Sequence, residues 1–369
     1  MLPAHLLVGL IMKLKLGRIA LVLAPFLSLA AVAAADVQYT VTNLGALPGD
    51  TESWPSAINN LGQVVGYSAV PGANYNAWLY SNGSMTSLVD PAHPDSRPLA
   101  LNNVGQVAGT SSGPNFGEVF LSSVASMQYI GFVGPVPTGI NNSGTVVGNY
   151  FVNASPSAFI YNNGVVQDLE TLPGGGITRA GSINNAGQIV GQSGLGHASV
   201  YDNGVIHDLG TLGGPYSSGS AINTLGDVAG SSWTSPSNSI VHAFLYTQSS
   251  GMIDISQSLG NIETIVYGVN DSDQVVGYIN GNSGNRAFLY SGGVPYNLNN
   301  LIDPSSGALL VRAVGINDAG QIIAEGATAQ DPNGTYAFLL TPTPEPRACA
   351  IALATSVGLL LWRRNLRKT

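Results

Sequence analysis

Lysine is almost missing from this chain. Its three lysines stand at the ends, at Lys13, Lys15 and Lys368. An internal lysine for Schiff-base chemistry is therefore excluded. Cations of any kind are scarce. Between Arg18 and Arg347 only Arg97, Arg179, Arg286 and Arg312 stand against twenty acidic residues, a net of −16. A nucleic-acid binder needs a basic footprint to neutralise phosphates, and none exists here. An acidic body suits solubility outside the cell, or weak cation binding. The 369 residues include one cysteine, Cys349, so no disulfide framework can form within the chain. Stability must come from burial and backbone hydrogen bonds. "PGGGITRAG" (173–181) is glycine-rich but lacks the lysine and following helix of a phosphate loop.

Disorder is excluded from the opposite direction. Charged residues make up only 9% and hydrophobic ones 44%, and the segments between the 47 glycines are rich in Val, Ile, Tyr and Phe. No long run in the body of the chain has helical period. These features predict an all-β protein.

The two ends read as addresses. In "MKLKLGRIALVLAPFLSLAAVAAADVQ" (12–38), Lys13, Lys15 and Arg18 precede the apolar run Ile19 to Leu29. Small residues Ala33 to Ala35 follow. This is the pattern of a secretory signal over residues 1–35, cut between Ala35 and Asp36, with Met12 a candidate for the true start. At the other end, Pro342, Pro344 and Pro346 mark an extended linker. The apolar run Ala348 to Trp362 follows, about 22 Å long as a helix, then Arg363, Arg364, Arg367 and Lys368. Cys349 reads as a small apolar residue of that helix. Pro344-Glu345-Pro346, an apolar helix and Arg363-Arg364, in that order, resemble the PEP-CTERM sorting signal of Gram-negative bacteria over residues 343–369. The resemblance implies an exported precursor, held in the inner membrane by its C-terminal helix. An exosortase would then process it for the envelope or extracellular matrix.

Between the ends, one pattern recurs seven times. The copies are "INNLGQVVG" (58–66), "LNNVGQVAG" (101–109), "INNSGTVVG" (140–148), "INNAGQIVG" (183–191), "INTLGDVAG" (222–230), "VNDSDQVVG" (269–277) and "INDAGQIIA" (316–324). Asparagine opens each as the first residue of a turn, and glycine three residues on returns the chain. In the sixth copy Asp273 replaces that glycine. The second glycine, Gly66 in the first copy, predicts a bulge or a close backbone approach. A third short apolar run follows in each unit, such as "AFIY" (158–161), then a turn such as Asn163-Gly164, then a fourth. Four short strands in about 43 residues make a β-propeller blade. Seven blades fill residues 36–342. The seventh stops after its third strand, "AFLL" (337–340), and the missing fourth appears at the start as "YTVTNLGALPGD" (39–50). The prediction is a seven-bladed propeller closed by its N-terminal strand, which leaves no half-built blade. The signal helix and sorting helix would flank it.

His242-Ala243-Phe244, the partial copy His197-Ala198-Ser199, and Asp208-Leu209-Gly210-Thr211-Leu212-Gly213-Gly214 carry a further resemblance. They are similar to the HAF repeat family of extracellular proteins. The likeness covers the whole body and implies no catalytic residues.

Candidates for chemistry are few. His197 and His242 share one repeat position, where convergence of two blades on a metal is one reading and packing histidines are the commoner outcome. Asp168, Asp208 and Asp254 recur with Asn43 and Asn297 as neutral equivalents, which reads as turn chemistry rather than a catalytic dyad. "NDSDQ" (270–274) and "DPNG" (331–334) group oxygen ligands that would suit calcium weakly, without the acidic residue that closes a full loop. Trp54, Tyr75, Tyr216 and Trp233, placed in variable loops, are candidates for stacking on sugars. The expected function is a non-catalytic binding or scaffolding protein of the cell surface or exopolysaccharide matrix, with polysaccharide or surface proteins as partners. The alternative is a secreted polysaccharide-active enzyme with a site at the channel mouth.

Overall fold

The computed structural model describes residues 39–343, except 91–92, 113–116, 124–125, 153–154, 170–175, 261 and 282–283. The signal and sorting residues Ala35, Asp36, Pro344, Glu345, Pro346, Arg363 and Arg364 lie outside the described residues. Among those described, no helix is long and apolar enough to cross a membrane.

The chain forms seven four-stranded antiparallel sheets, the blades of a propeller. Blade 1 runs outward from the axis through Glu52–Ile58, Val64–Ala69, Asn76–Ser81 and Ser84–Ser87. Blades 2 to 6 repeat that order, with inner strands Ser96–Leu101, Val136–Ile140, Ile177–Ile183, Ser217–Ile222 and Glu263–Val269. Blade 7 has Ala308–Ile316, Ile322–Thr328 and Tyr336–Pro342, and its outer strand is Tyr39–Asn43 from the chain's beginning. Tyr39 lies opposite Pro342 and Asn43 opposite Phe338, so the first strand closes the last blade as expected.

Second strands are buried on both faces. Val64 and Val65 are consecutive and both are 0% exposed. Alternation is lost there because a neighbouring blade covers each side of the sheet. The apolar clusters accordingly lie between blades. Val64 and Trp78 of blade 1, for example, pack against Ile323, Ala337 and Leu339 of blade 7.

The second glycine of the repeat marks a close approach. Gly66 lies opposite Trp78 in the ladder, and Gly109, Gly148, Gly230 and Gly277 lie opposite Phe120, Phe159, Phe244 and Phe288. The aromatic ring lies over the bare glycine. A Cβ on Gly66 would collide with the Trp78 ring on one side and the Trp54 carbonyl on the other. Cross-strand pairs of this kind let a large ring pack flat on the sheet. Blade 4 departs, with buried Ser199 opposite Gly191, and blade 7 sets Ala324 opposite Phe338.

Outer strands are shorter than the sequence implies. The expected strand 39–50 ends at Asn43 and that of 205–214 at Gly210. The cause is local. Asn43 Oδ1 accepts from the Gly45 amide and Asp208 Oδ1 from the Gly210 amide, and both glycines take positive φ, so the chain turns out of the sheet.

Gly66→Ala is expected to destabilise the fold by about 3 kcal/mol, the upper range of overpacking. Thermal denaturation of the variant against the parent measures this. An unchanged melting temperature would mean that the glycine–tryptophan contact does not constrain blade 1.

Candidate functional site

The inner strands surround a central channel whose two mouths differ. At its waist Ile58, Leu101, Ile140, Ile183, Ile222, Val269 and Ile316 form an apolar collar. The side near the first turns encloses about 150 Å³ and the other about 270 Å³.

The first mouth is built from the seven turn asparagines. In blade 1 Asn59 receives the Gly62 amide on its carbonyl oxygen, and its Oδ1 accepts from the amides of Leu61 and Gln63 at 3.1 and 3.0 Å. That fixes the turn. Its Nδ2 then donates to Asn102 O of blade 2 at 2.9 Å. Asn102 donates in the same way to Asn141 O, Asn141 to Asn184 O, Asn184 to Asn223 O, Asn223 to Asn270 O, Asn270 to Asn317 O, and Asn317 back to Asn59 O. The circle closes, and all seven asparagines are buried.

A second circle lies one residue on and more exposed. Asn103, Asn142, Asn185, Asp271, Asp318 and Asn60 each accept the amide of the equivalent residue in the preceding blade. The equivalent residue of blade 5 is Thr224, whose side chain instead donates to Asp271 Oδ2.

The repeat departs from itself at one more point here. The turn glycines of most blades face a glutamine of the preceding blade, as Gly226 faces Gln188. In blades 5 and 6 both members change, and Asp273 faces Asp227. Asp273 is left-handed at φ 56, and its Oδ1 is buried without a hydrogen-bond partner. Burial, then the Asp227 charge, pushes the Asp273 carboxyl above its ordinary pKa.

At the opposite mouth the blades diverge. Each inner strand carries a register shift, and the extra residue lines the channel, as Ser56, Leu99, Thr138, Tyr267 and Val314 do. Two residues before it, the repeat position holds Trp54, Arg97, Val136, Arg179, Ser218, Ile265 and Arg312 in turn. Aromatic rings gather there. Trp54 stacks on Tyr67 with centroids 5.3 Å apart, and Tyr75 meets Trp54 and Tyr67 edge-on at 5.7 and 5.1 Å. The Arg97 guanidinium lies 4.0 Å over the Tyr75 ring. Tyr267 stacks on Tyr278 at 6.0 Å, and Arg312 stands 5.6 Å over Tyr278. Arg312 also reaches Glu325 at 3.4 Å, and its Nε is buried without a partner. Burial raises the Glu325 pKa, opposed by the Arg312 charge. Burial also raises the Tyr67 phenol, which feels Glu325, Arg97 and Arg312 from both neighbouring blades. The group is one arc across blades 6, 7, 1 and 2.

Two of the four aromatics expected in loops, Trp54 and Trp233, lie in strands. Their pleated setting holds the rings against neighbours on the sheet. Tyr216 meets Trp233 edge-on at 5.1 Å, a smaller pair on the same side of the ring in blade 5. Tyr67, Tyr267 and Tyr278 were not singled out from the sequence, because they sit inside strands at unremarkable spacing.

The remaining candidates serve the blades. His197 and His242 do not converge: each bonds the outer strand of its own blade, His197 to Asp208 at 3.0 Å and His242 to Asp254 at 2.7 Å. The recurrent Asp and Asn residues hold turns. Asp254 accepts from the Ser256 amide and Asn297 from the Asn299 amide, just as Asn43 and Asp208 do. Asp168 bonds the Tyr150 hydroxyl. Of the two loops that would suit calcium, Asn270 belongs to the first circle, and Asp331 takes the Gly334 amide and the Tyr336 hydroxyl. Among the described residues, no group of three or more His, Cys, Asp or Glu is placed to hold a metal. His93 joins Asp90 at 2.9 Å and stacks on Tyr129, whose hydroxyl also donates to Asp90. This cluster fastens the connection between blades 1 and 2.

A scan against protein-family models finds no match, and no curated protein matches by sequence. Solved structures do resemble the chain. The β-propeller domain of the Trilobed protease from Pyrococcus furiosus matches 78% of this chain over 95% of its own, at 9% identity and TM-score 0.53. Virginiamycin B lyase from Staphylococcus aureus matches 83% over its whole length, at 14% identity and TM-score 0.53. TolB from Acinetobacter baumannii matches 73% of this chain at 13% identity and TM-score 0.43, and the chain spans 60% of TolB's length. The likenesses to the Trilobed protease domain and to virginiamycin B lyase establish the propeller fold.

Two variants test the first mouth. Asn184→Asp removes the donor to Asn223 O and to Gln188 Oε1 and sets a carboxylate against carbonyl oxygens. The expected loss is about 3 kcal/mol at pH 7. Set against the Asn223 carbonyl oxygen, the introduced carboxyl should favour its protonated form in the fold, so the deficit relative to the parent should shrink from pH 7 towards pH 4. Denaturant melts at both pH values check it, and a loss independent of pH would contradict the donor role. Asp273→Gly relieves the left-handed backbone and the facing carboxylates, and should stabilise by about 1 kcal/mol at pH 7. Because the Asp273 pKa is raised in the fold, the electrostatic part of that gain should fade as the pH falls and the Asp273 carboxyl takes up its proton; denaturant melts across that range check it.

Proposed function

We propose that this chain is an exported, non-catalytic propeller that binds or scaffolds at the cell surface or in the exopolysaccharide matrix. In this reading residues 1–35 direct secretion, and the PEP-CTERM-like tail at 343–369 is sorted by an exosortase. One observation carries the binding role. The seven blades stay alike where they hold the ring together and differ around one mouth, where the differing side chains are stacked rings and arginines. Such groups present surface to a partner; acid–base chemistry would need a positioned pair of titratable groups. The enzyme reading keeps one supporting observation, Glu325, whose raised pKa and place in the aromatic arc suit a general acid.

Expression of the full chain in a Gram-negative host that carries an exosortase tests the proposal. The expected product begins at Asp36, lacks the mass of the C-terminal helix and is recovered outside the inner membrane. Replacing Pro344, Glu345 and Pro346 by alanine should leave the tail attached. An unprocessed chain in the cytoplasm would overturn the exported reading. Reducing ends released from polysaccharide by the parent, and abolished by Glu325→Gln, would replace it with the enzyme reading.

A further inference from the structure

The arc at the divergent mouth has a composition that selects a ligand. Its apolar surface includes ring faces beside the aliphatic Leu99 and Val314. Flat rings match the C–H faces of pyranose sugars, and the offset of Trp54 and Tyr67 from Tyr267 and Tyr278 spaces two platforms along one rim. Tyr267 is 41% exposed, so its ring is available at the channel.

The charge is as specific as the rings. Arg97 and Arg312 stand at the same repeat position on blades 2 and 7, Arg312 between the two platforms and Arg97 at one end of the arc. Arg179 holds that position on blade 4. The chain between Arg18 and Arg347 has only four arginines and a net of −16, yet three of them occupy this rim. Their local neutralisation is incomplete. Arg97 meets Asp95 only at 3.9 Å and keeps 45% of its side chain exposed. Arg312 has one carboxylate partner, Glu325, and a buried Nε that no protein group satisfies. Farther out on this side, Asp50 accepts from Ser68 and Asn76 and Glu263 from Asn280, neutral donors that hold these carboxylates in place and leave their charge. A planar guanidinium pairs best with a planar two-oxygen anion.

We propose that the arc from Tyr278 through Arg312 and Trp54 to Arg97 binds a polysaccharide that carries carboxylates on its sugar rings, with rings stacked on the aromatics and uronate groups met by arginine. The proposal deepens the binding role above and does not depend on the export route.

The test is affinity electrophoresis of the full chain in mild detergent, in native gels containing polygalacturonate, alginate, neutral dextran or dextran sulfate. Retardation is expected in the two uronates and not in dextran. Tyr75→Ala, in a loop, and Arg97→Gln, exposed, should each weaken uronate binding by about fivefold to tenfold without moving the thermal melt. Leu61→Ser, an exposed change at the asparagine mouth, should leave binding intact. Equal retardation by dextran sulfate and by uronates, unaffected by Tyr75→Ala, would reduce the site to bare charge and overturn the proposal. So would no retardation in any gel, or loss of binding in Leu61→Ser alone. A chain that binds uronate but stays unprocessed in cells would fail the export reading and leave this one standing.

Discussion

Everything else in this propeller depends on what one primary amide can do. A turn asparagine must accept two amides from its own loop, which fixes the turn, and must still offer two N–H bonds. One of those crosses to the next blade. The same group therefore sets local geometry and neighbour spacing together. Aspartate could hold the turn but has no donor, serine is too short to reach across, and glutamine would displace the oxygen from its turn. Because every link runs in the same sense, from Asn59 round to Asn317 and back, the circle is complete only when all seven blades are present. A buried polar circle of this kind is costly if incomplete, since each broken link strands a buried donor and carbonyl.

The phasing of the repeat and the closure by Tyr39–Asn43 were legible in the sequence, because both follow from patterns that recur within each unit. The Asn-to-Gly turn was legible for the same reason: its bonds span two to four residues. The circle was not. Its links join residues 39 to 47 apart, or 258 apart at the closure, and the sequence shows the asparagines as equivalents without showing that equivalents touch. The aromatic arc was half legible. Trp54 and Tyr75 stood out as large rings, but Tyr67 and Tyr278 are single residues in strands whose other copies are Thr, Asn, Gln, Ser and Glu. Only ring closure puts blade 6 beside blade 1 by way of blade 7.

The His-Ala-Phe motif gains a physical meaning from blade 5. His242 reaches Asp254 and fastens the third strand to the outer one, Ala243 is fully buried between blades, and Phe244 covers Gly230. The three residues thus point in alternating directions for three different tasks. They survive unevenly because the tasks are separable. The ring-over-glycine contact recurs in five blades, whereas the histidine latch recurs only in blade 4, where Ser199 has displaced the ring. A motif defined by all three letters would find one copy in a chain with seven.

Separable constraints also explain why the two mouths differ. At the asparagine mouth the first two residues of the turn and the residue at the glycine position meet a neighbouring blade, so a change at one of these needs a matching change in the next. Asp227 and Asp273 illustrate this: both members of one facing pair depart together, and the result is strained. At the far mouth, the rim position occupied by Trp54, Arg97 and Arg312 meets neighbouring blades through side chains alone, as Arg97 over Tyr75 and Arg312 over Tyr278 do, and takes no part in a closed circle. Its backbone is held by the ladder, and in blades 1 and 2 by the close approach of Gly66 and Gly109, whatever the side chain. Substitution there is free of the ring's stability, and a rim that is free to vary is where a symmetric scaffold can acquire an asymmetric binding surface. That the freedom was used for rings and guanidinium groups, in a chain otherwise poor in cations, is the reason the proposed binding surface lies on that side.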